Sequence, residues 1–172
     1  MPNINEVKKM TQNIDLEKIL AELTSDEARA GAIYQLMGKI ELSPQQIEMA
    51  VEVYEKAGQF SNAAKIAQKA GLTEKAIQIY EKAEMFSNAA TVAKEAGLTE
   101  RAQQLYEQQI KIYEKAERFW DAAAVAKKAG LTERAIQNYE KAELFEDAAD
   151  VAQKAGMTER AEILSTLAQL IA

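Results

Sequence analysis

The chain has 172 residues, with 7 Gly, 2 Pro, no Cys and no His, a length that suits one ordinary domain or one short array of repeats. The two zeros exclude a disulfide framework, thiolate zinc, an Fe–S cluster, a cysteine nucleophile, a serine–histidine triad and imidazole metal ligands. With 21 Lys plus Arg against 27 Asp plus Glu, the net charge is −6, so the surface repels phosphate backbones and no nucleic acid partner is expected.

From the N-terminus, Met1 to Met10 carries Lys8 and Lys9 with no apolar segment after them, which is not the pattern of a signal peptide. Apolar runs elsewhere are only a few residues long, far short of a bilayer span. A soluble, cytoplasmic protein without membrane insertion is expected. Asp15–Leu23 reads as one short helix. Thr24-Ser25-Asp26-Glu27 offers a capping box for a second helix running to about Ile40. Residues 1–42 thus form an N-terminal region of irregular helices, and Ser43-Pro44 caps and starts the next element.

A repeat follows. From Tyr54 the chain reads YEKAGQFSNAAKIAQKAGLTEKAIQI, and close copies begin at Tyr80, Tyr113 and Tyr139. Copies one to two and three to four are spaced by 26 residues. Tyr80 to Tyr113 is 33, but Tyr106 lies 26 after Tyr80, so the excess is a seven-residue insertion, YEQQIKI. Each copy contains a finer period of 13. Shifted by that amount, Ala63 falls on Ala76, Ile66 on Ile79, Ala67 on Tyr80 and Ala70 on Ala83. Apolar residues spaced in this way form one stripe on a helix of 3.6 residues per turn, so each copy predicts two short amphipathic helices, A and B. Helix B ends at Gly71, Gly97, Gly130 or Gly156, a glycine suited to the left-handed conformation after a helix. Thr73, Thr99, Thr132 or Thr158 is then placed to cap the next helix A. A tight turn before Phe60, Phe86, Phe119 and Phe145 joins A to B. Helices of about eleven residues are marginal alone in water, so they must stack. Such short links set neighbours antiparallel. The expected fold is all-α, an α-solenoid of four hairpins over 43–156, with 157–172 as a capping helix.

Tyr-x-x-Ala in helix A followed by Phe-x-x-Ala-Ala in helix B resembles the tetratricopeptide-like superfamily. It is similar to the short helical hairpins of SNAP-type adaptors and of vesicle-coat and intraflagellar-transport arms. The likeness covers roughly Ser43 to Ala172. It implies a right-handed solenoid and partners of the assembly or trafficking type. The period of 26 differs from the family's 34, and the Trp-Leu-Gly of helix A and the closing Pro are missing. Eight residues fewer removes about one turn from each helix.

Shared positions in a repeat are mostly packing, so candidate function lies where copies differ. The insertion lengthens the third helix A by two turns, from about Thr99 to Glu117, and brings Gln103, Gln104, Gln108 and Gln109. Gln109 falls on the apolar stripe, where its amide needs a partner. Trp120 stands where the other copies have Ser61, Ser87 and Glu146, which implies a surface position and a candidate interface anchor. Alternatively, it fills space that the insertion created. Asn138 occupies a slot that holds Val53, Ile79, Ile112, Val125 and Val151 elsewhere, and makes either a hydrogen-bonded contact or a wetter face. Lys75, Arg101, Arg134 and Arg160 share one position, with Gln78, Gln104 and Gln137 three residues later. Stacked, they form a basic, amide-rich ladder suited to carboxylates or an extended backbone. The Glu–Lys pairs within YEKA read as ordinary surface charges. The final helix is broadly apolar at Ala161, Leu164, Leu167, Ala168 and Ile171, a surface able to meet another chain.

No catalytic, cofactor or metal site is expected. The sequence reads as a non-enzymatic scaffold or adaptor that binds a protein or peptide through Trp120, Lys75, Gln78, Arg101, Gln104, Gln108, Arg134, Gln137 and Asn138. The alternative is a self-associating module, a homo-oligomer that uses the final helix and Trp120, and an enzyme built from Glu, Lys and Tyr alone stands third.

Overall fold

A computed structural model describes residues 15–37 and 42–171. The sequence expectations for Met1 to Met10, and for the end of the second helix near Ile40, lie outside the described residues. Within them the chain is helical, with no strand. Packing divides it into two compact units, Met1–Glu84 and Met85–Ala172.

The first unit holds α1 (Leu16–Ala21), α2 (Asp26–Met37), α3 (Pro44–Lys56), α4 (Phe60–Lys69) and α5 (Thr73–Lys82). From α2 onward, each helix packs on the next. Asp15 caps α1 by accepting from the Lys18 amide at 3.0 Å, and Arg29 of α2 donates Nε–H to the Leu20 carbonyl at 3.1 Å. The expected box at Thr24 is not used. Ser25 takes the cap position instead and accepts from the Ala28 amide at 3.1 Å, one residue along from the Thr24–Glu27 register. At α3 the expectation holds in full: Ser43 and Gln46 exchange both capping-box bonds, and Pro44 opens the helix.

The second unit holds α6 (Phe86–Glu95), α7 (Thr99–Lys115), α8 (Phe119–Ala129), α9 (Thr132–Lys141), α10 (Phe145–Lys154) and α11 (Thr158–Ile171), again each packed on its successor. The insertion makes α7 17 residues long against 10 for α5 and α9, or about 10 Å of extra helix. Alanines such as Ala89, Ala90, Ala93, Ala122, Ala123 and Ala126 are wholly buried, so close backbone approach takes the place of large side chains in the core.

One turn type serves both kinds of link. After α8, the Leu131 amide donates to the Ala126 carbonyl at 2.9 Å, and the Gly130 amide donates to Lys127 at 3.1 Å, with Gly130 at φ 77°. These are the paired bonds of a Schellman stop, which satisfy carbonyls that the helix end would orphan. The A-to-B links use the same geometry: the Arg118 amide donates to Tyr113 and the Glu117 amide to Glu114. Here the left-handed residue is Gly58 only once. Glu84, Glu117 and Glu143 adopt it at φ 56°, 55° and 58°.

The expected threonine caps are absent. Thr73, Thr99 and Thr132 are the first residues of α5, α7 and α9, and the cap positions fall on Leu72, Leu98 and Leu131, which have no side-chain oxygen. The leucine amide is already bonded back to the preceding helix, and its carbonyl at once accepts the first bond of the next one. The turn enters the following helix one residue too early for a threonine cap.

An L-residue held left-handed is strained by roughly 1–2 kcal/mol, part of which glycine returns as unfolded-chain entropy. Glu117→Gly and Glu143→Gly should each stabilise the fold by about 0.5–1 kcal/mol in urea titrations. Gly130→Ala should lower stability by about 1 kcal/mol through backbone strain alone, since a Cβ there meets nothing within 4 Å.

Candidate functional site

The residues singled out by the sequence fall in both units. Lys75, half-buried, and Gln78, exposed, lie on α5 of the first unit, where the Gln78 amide donates to Glu74 one turn earlier at 3.4 Å. Arg101, Gln104, Gln108, Trp120, Arg134, Gln137 and Asn138 lie on α7, α8 and α9 of the second.

Arg134 and Asn138 come together around Glu114, near the C-terminal end of the lengthened α7. Arg134 donates Nε–H to Glu114 Oε1 at 3.1 Å and Nη2–H to Oε2 at 2.8 Å, a bidentate pair across neighbouring copies. Asn138 Nδ2 donates to the same Oε1 at 2.8 Å and to the Arg134 carbonyl at 2.9 Å. Asn138 is 1 % exposed, so of its two sequence readings the hydrogen-bonded contact is the one the structure adopts. Its Oδ1 is buried with no partner among the described residues. The hydrogen-bonded Arg134 guanidinium holds the Glu114 carboxyl below its ordinary value, and the Asn138 amide adds to the effect. Glu114 in turn raises Arg134.

Arg160 repeats the arrangement one copy later, donating to Glu140 at 3.2 Å and to Glu133 at 2.7 Å. In the first unit Glu55 accepts from Lys82 at 3.0 Å, and Lys82 also lies over the Phe60 ring at 5.8 Å. The YEKA glutamates Glu55, Glu114 and Glu140 are therefore not ordinary surface charges. They join one helix A to the next. Nothing in a single copy marks them; the signal is the 20-residue spacing from Glu114 to Arg134, repeated from Glu140 to Arg160. At these rungs the ladder's guanidinium charge is spent on the protein itself. Gln104, Gln108 and Gln137 keep exposed positions on α7 and α9.

Gln109 is buried, and its partner is the Ser87 amide, which donates to Oε1 at 3.3 Å. The cap position of α6 is Met85, which makes no side-chain cap bond, so an amide from the inserted turn of α7 caps α6. The insertion is thus structural on its inner face. Its outer end is open: Ile112, at the slot where Ile79 is buried, is exposed. Trp120, in the first turn of α8, is 57 % exposed, so space-filling accounts for less than half of its surface. Beside it, Arg118 stacks over the Tyr113 ring at 4.6 Å and bonds Asp121 at 2.8 Å.

Two hollows of this unit lie elsewhere, between α10 and α11. One of about 430 Å³ is lined by Glu146, Asp150, Gln153 and Glu162 among others, and one of about 330 Å³ by Phe145, Asp147, Ala168 and Ile171 among others. Among the described residues no group of acidic side chains could hold a metal ion, and no helix is long and apolar enough to cross a membrane. No family model matches the chain, and no curated protein matches it.

A depressed carboxyl pKa contributes stability that is complete above the ordinary glutamate value of 4.5 and is lost as the pH falls through the lowered one. Glu114→Gln should therefore reduce stability at neutral pH by about 1–3 kcal/mol and flatten the acid limb of a stability-against-pH curve. Gln109→Ala should weaken the start of α6 by about 1 kcal/mol, read as faster amide exchange at Ser87.

Proposed function

We propose that the chain is a non-enzymatic scaffold or adaptor that binds a partner protein or peptide along one face of a helical repeat. The fold proposed for it is a right-handed, tetratricopeptide-like solenoid of antiparallel hairpins. Consecutive packing of α2 to α5 and of α6 to α11 supports this, as does a 26-residue unit written four times. The likeness to SNAP-type and coat-arm hairpins favours partners of the assembly or trafficking type, by analogy of fold alone.

The observation that carries the reading is Trp120. An indole more than half in solvent, at a position that is Ser61, Ser87 or Glu146 in the sister copies, does little packing for its own chain. Trp is the side chain most often found at the energetic centre of protein interfaces. Arg118, Ile112 and the exposed glutamines Gln104, Gln108 and Gln137 lie on the adjoining helices or turn and supply polar and apolar contacts of the kind found around such an anchor. Arg134 and Asn138 serve indirectly, by holding α7 to α9.

Trp120→Ala should leave helix content and the melting temperature nearly unchanged and weaken capture of the partner by at least tenfold, equivalent to more than about 1.4 kcal/mol. Gln137→Ala should have a smaller effect. Capture that is unaltered by Trp120→Ala, measured by quantitative pull-down from the source cell, would refute the reading.

A further inference from the structure

Helix α11 reverses the polarity of its sisters. Aligned on the shared Thr-Glu-Arg-Ala, Glu162 takes the slot of the buried Ile136 of α9, and Ser165 takes that of the buried Tyr139. Conversely, Ile163 replaces the exposed Gln137 and Leu167 the exposed Lys141. The side against which α9 packs its neighbours is thus polar in α11, and the side that α9 turns to water is apolar. Ala161 and Leu164 remain buried, which anchors the helix on α10. Ile163, Leu167, Leu170 and Ile171 are 56, 39, 76 and 62 % exposed. Spaced at i, i+4, i+7 and i+8, they form a stripe on one face.

We propose that this stripe is a self-association seam, and that its occupant is the α11 of a second copy of this chain, packed antiparallel across a two-fold axis near Leu167. Three observations select that occupant. First, a further hairpin of the same repeat would need apolar side chains at the Ile136 and Tyr139 slots, and α11 has Glu162 and Ser165 there. Second, residues 163 to 172 carry no charged side chain, so the stripe offers nothing to select a charged segment, whereas a two-fold contact needs only one patch that complements itself. Third, Glu159 and Glu162 lie at the N-terminal end. A parallel pair would set the acids of both copies and the like ends of both helix dipoles side by side, while an antiparallel pair separates the acids and opposes the dipoles. The stripe covers on the order of 400 Å², about half of what each partner buries in a standard interface. The association is therefore weak and reversible, and concentration sets it. The inference stands apart from the partner reading of Trp120.

The absence of native cysteine makes the seam directly testable. In sedimentation the unmodified chain should shift from 19.0 kDa toward twice that mass as concentration rises. Leu170→Lys should abolish the shift with helix content intact. Under mild oxidation Leu167→Cys should form a covalent dimer, because the axis brings that position against itself within disulfide reach. Ile163→Cys and Ser165→Cys should each fail to cross-link with themselves, and a mixture of Ile163→Cys with Ile171→Cys should cross-link. A single mass at all concentrations, a particle larger than two chains, or cross-linking at 163 or 165 as fast as at 167 would overturn the proposal.

Discussion

From α3 to α10, each helix stops after roughly three to five turns and hands the chain to the next within two or three residues. A single backbone conformation meets that demand. At each of the eight links one residue adopts positive φ: Gly58, Gly71, Gly97, Gly130 and Gly156 without strain, and Glu84, Glu117 and Glu143 against it. The paired back-bonds of the turn satisfy the orphaned carbonyls, and after Gly71, Gly97 and Gly130 the following leucine opens the next helix directly. Helices of ten residues have too few internal bonds to persist alone. Within each unit, packing of alanine-lined faces holds them.

On this frame, the charges that look redundant in a single copy become the links between copies. Glu114 receives Arg134 and Asn138 at once, and Glu140 receives Arg160. A bidentate pair has directional geometry that apolar contact lacks, so it fixes register where small alanine faces would slide. The seven inserted residues use the same economy. They keep the stripe in phase, place Gln109 against the open end of α6, and carry Ile112 beyond its cover. One insertion thus mends a helix start on its inner side and exposes apolar surface on its outer side.

The exposed apolar surface of the second unit is concentrated where the repeat departs from itself. Trp120 follows the end of the lengthened α7, and the α11 stripe follows the last glycine stop. Both break a pattern that is kept strictly elsewhere, which separates them from the scattered apolar residues that any surface shows. The first belongs to the proposed partner site and the second to the proposed self-association seam. The Arg118–Tyr113 stack lies two residues from the former in the chain, while residues without charged side chains surround the latter.

Much of this was legible in residue order. The 13- and 26-residue periods, the glycine stops, the Ser43-Pro44 start, the lengthened third helix A and the need of Gln109 for a partner all follow from spacing, because a helix converts spacing into faces and a glycine into a left-handed turn. The surface position of Trp120 followed from comparing its slot across copies. Which threonine, serine or leucine occupies a cap was not legible, since that depends on a one-residue shift in how the turn enters the helix. Nor was the role of the YEKA glutamates, because a carboxylate reads alike in water and beside a guanidinium until the fold brings positions 20 apart into contact. Local geometry was set by the sequence alone; the pairing of charges and the exposure of Ile163 and Leu170 were decided by tertiary structure, since both depend on which neighbour covers a face.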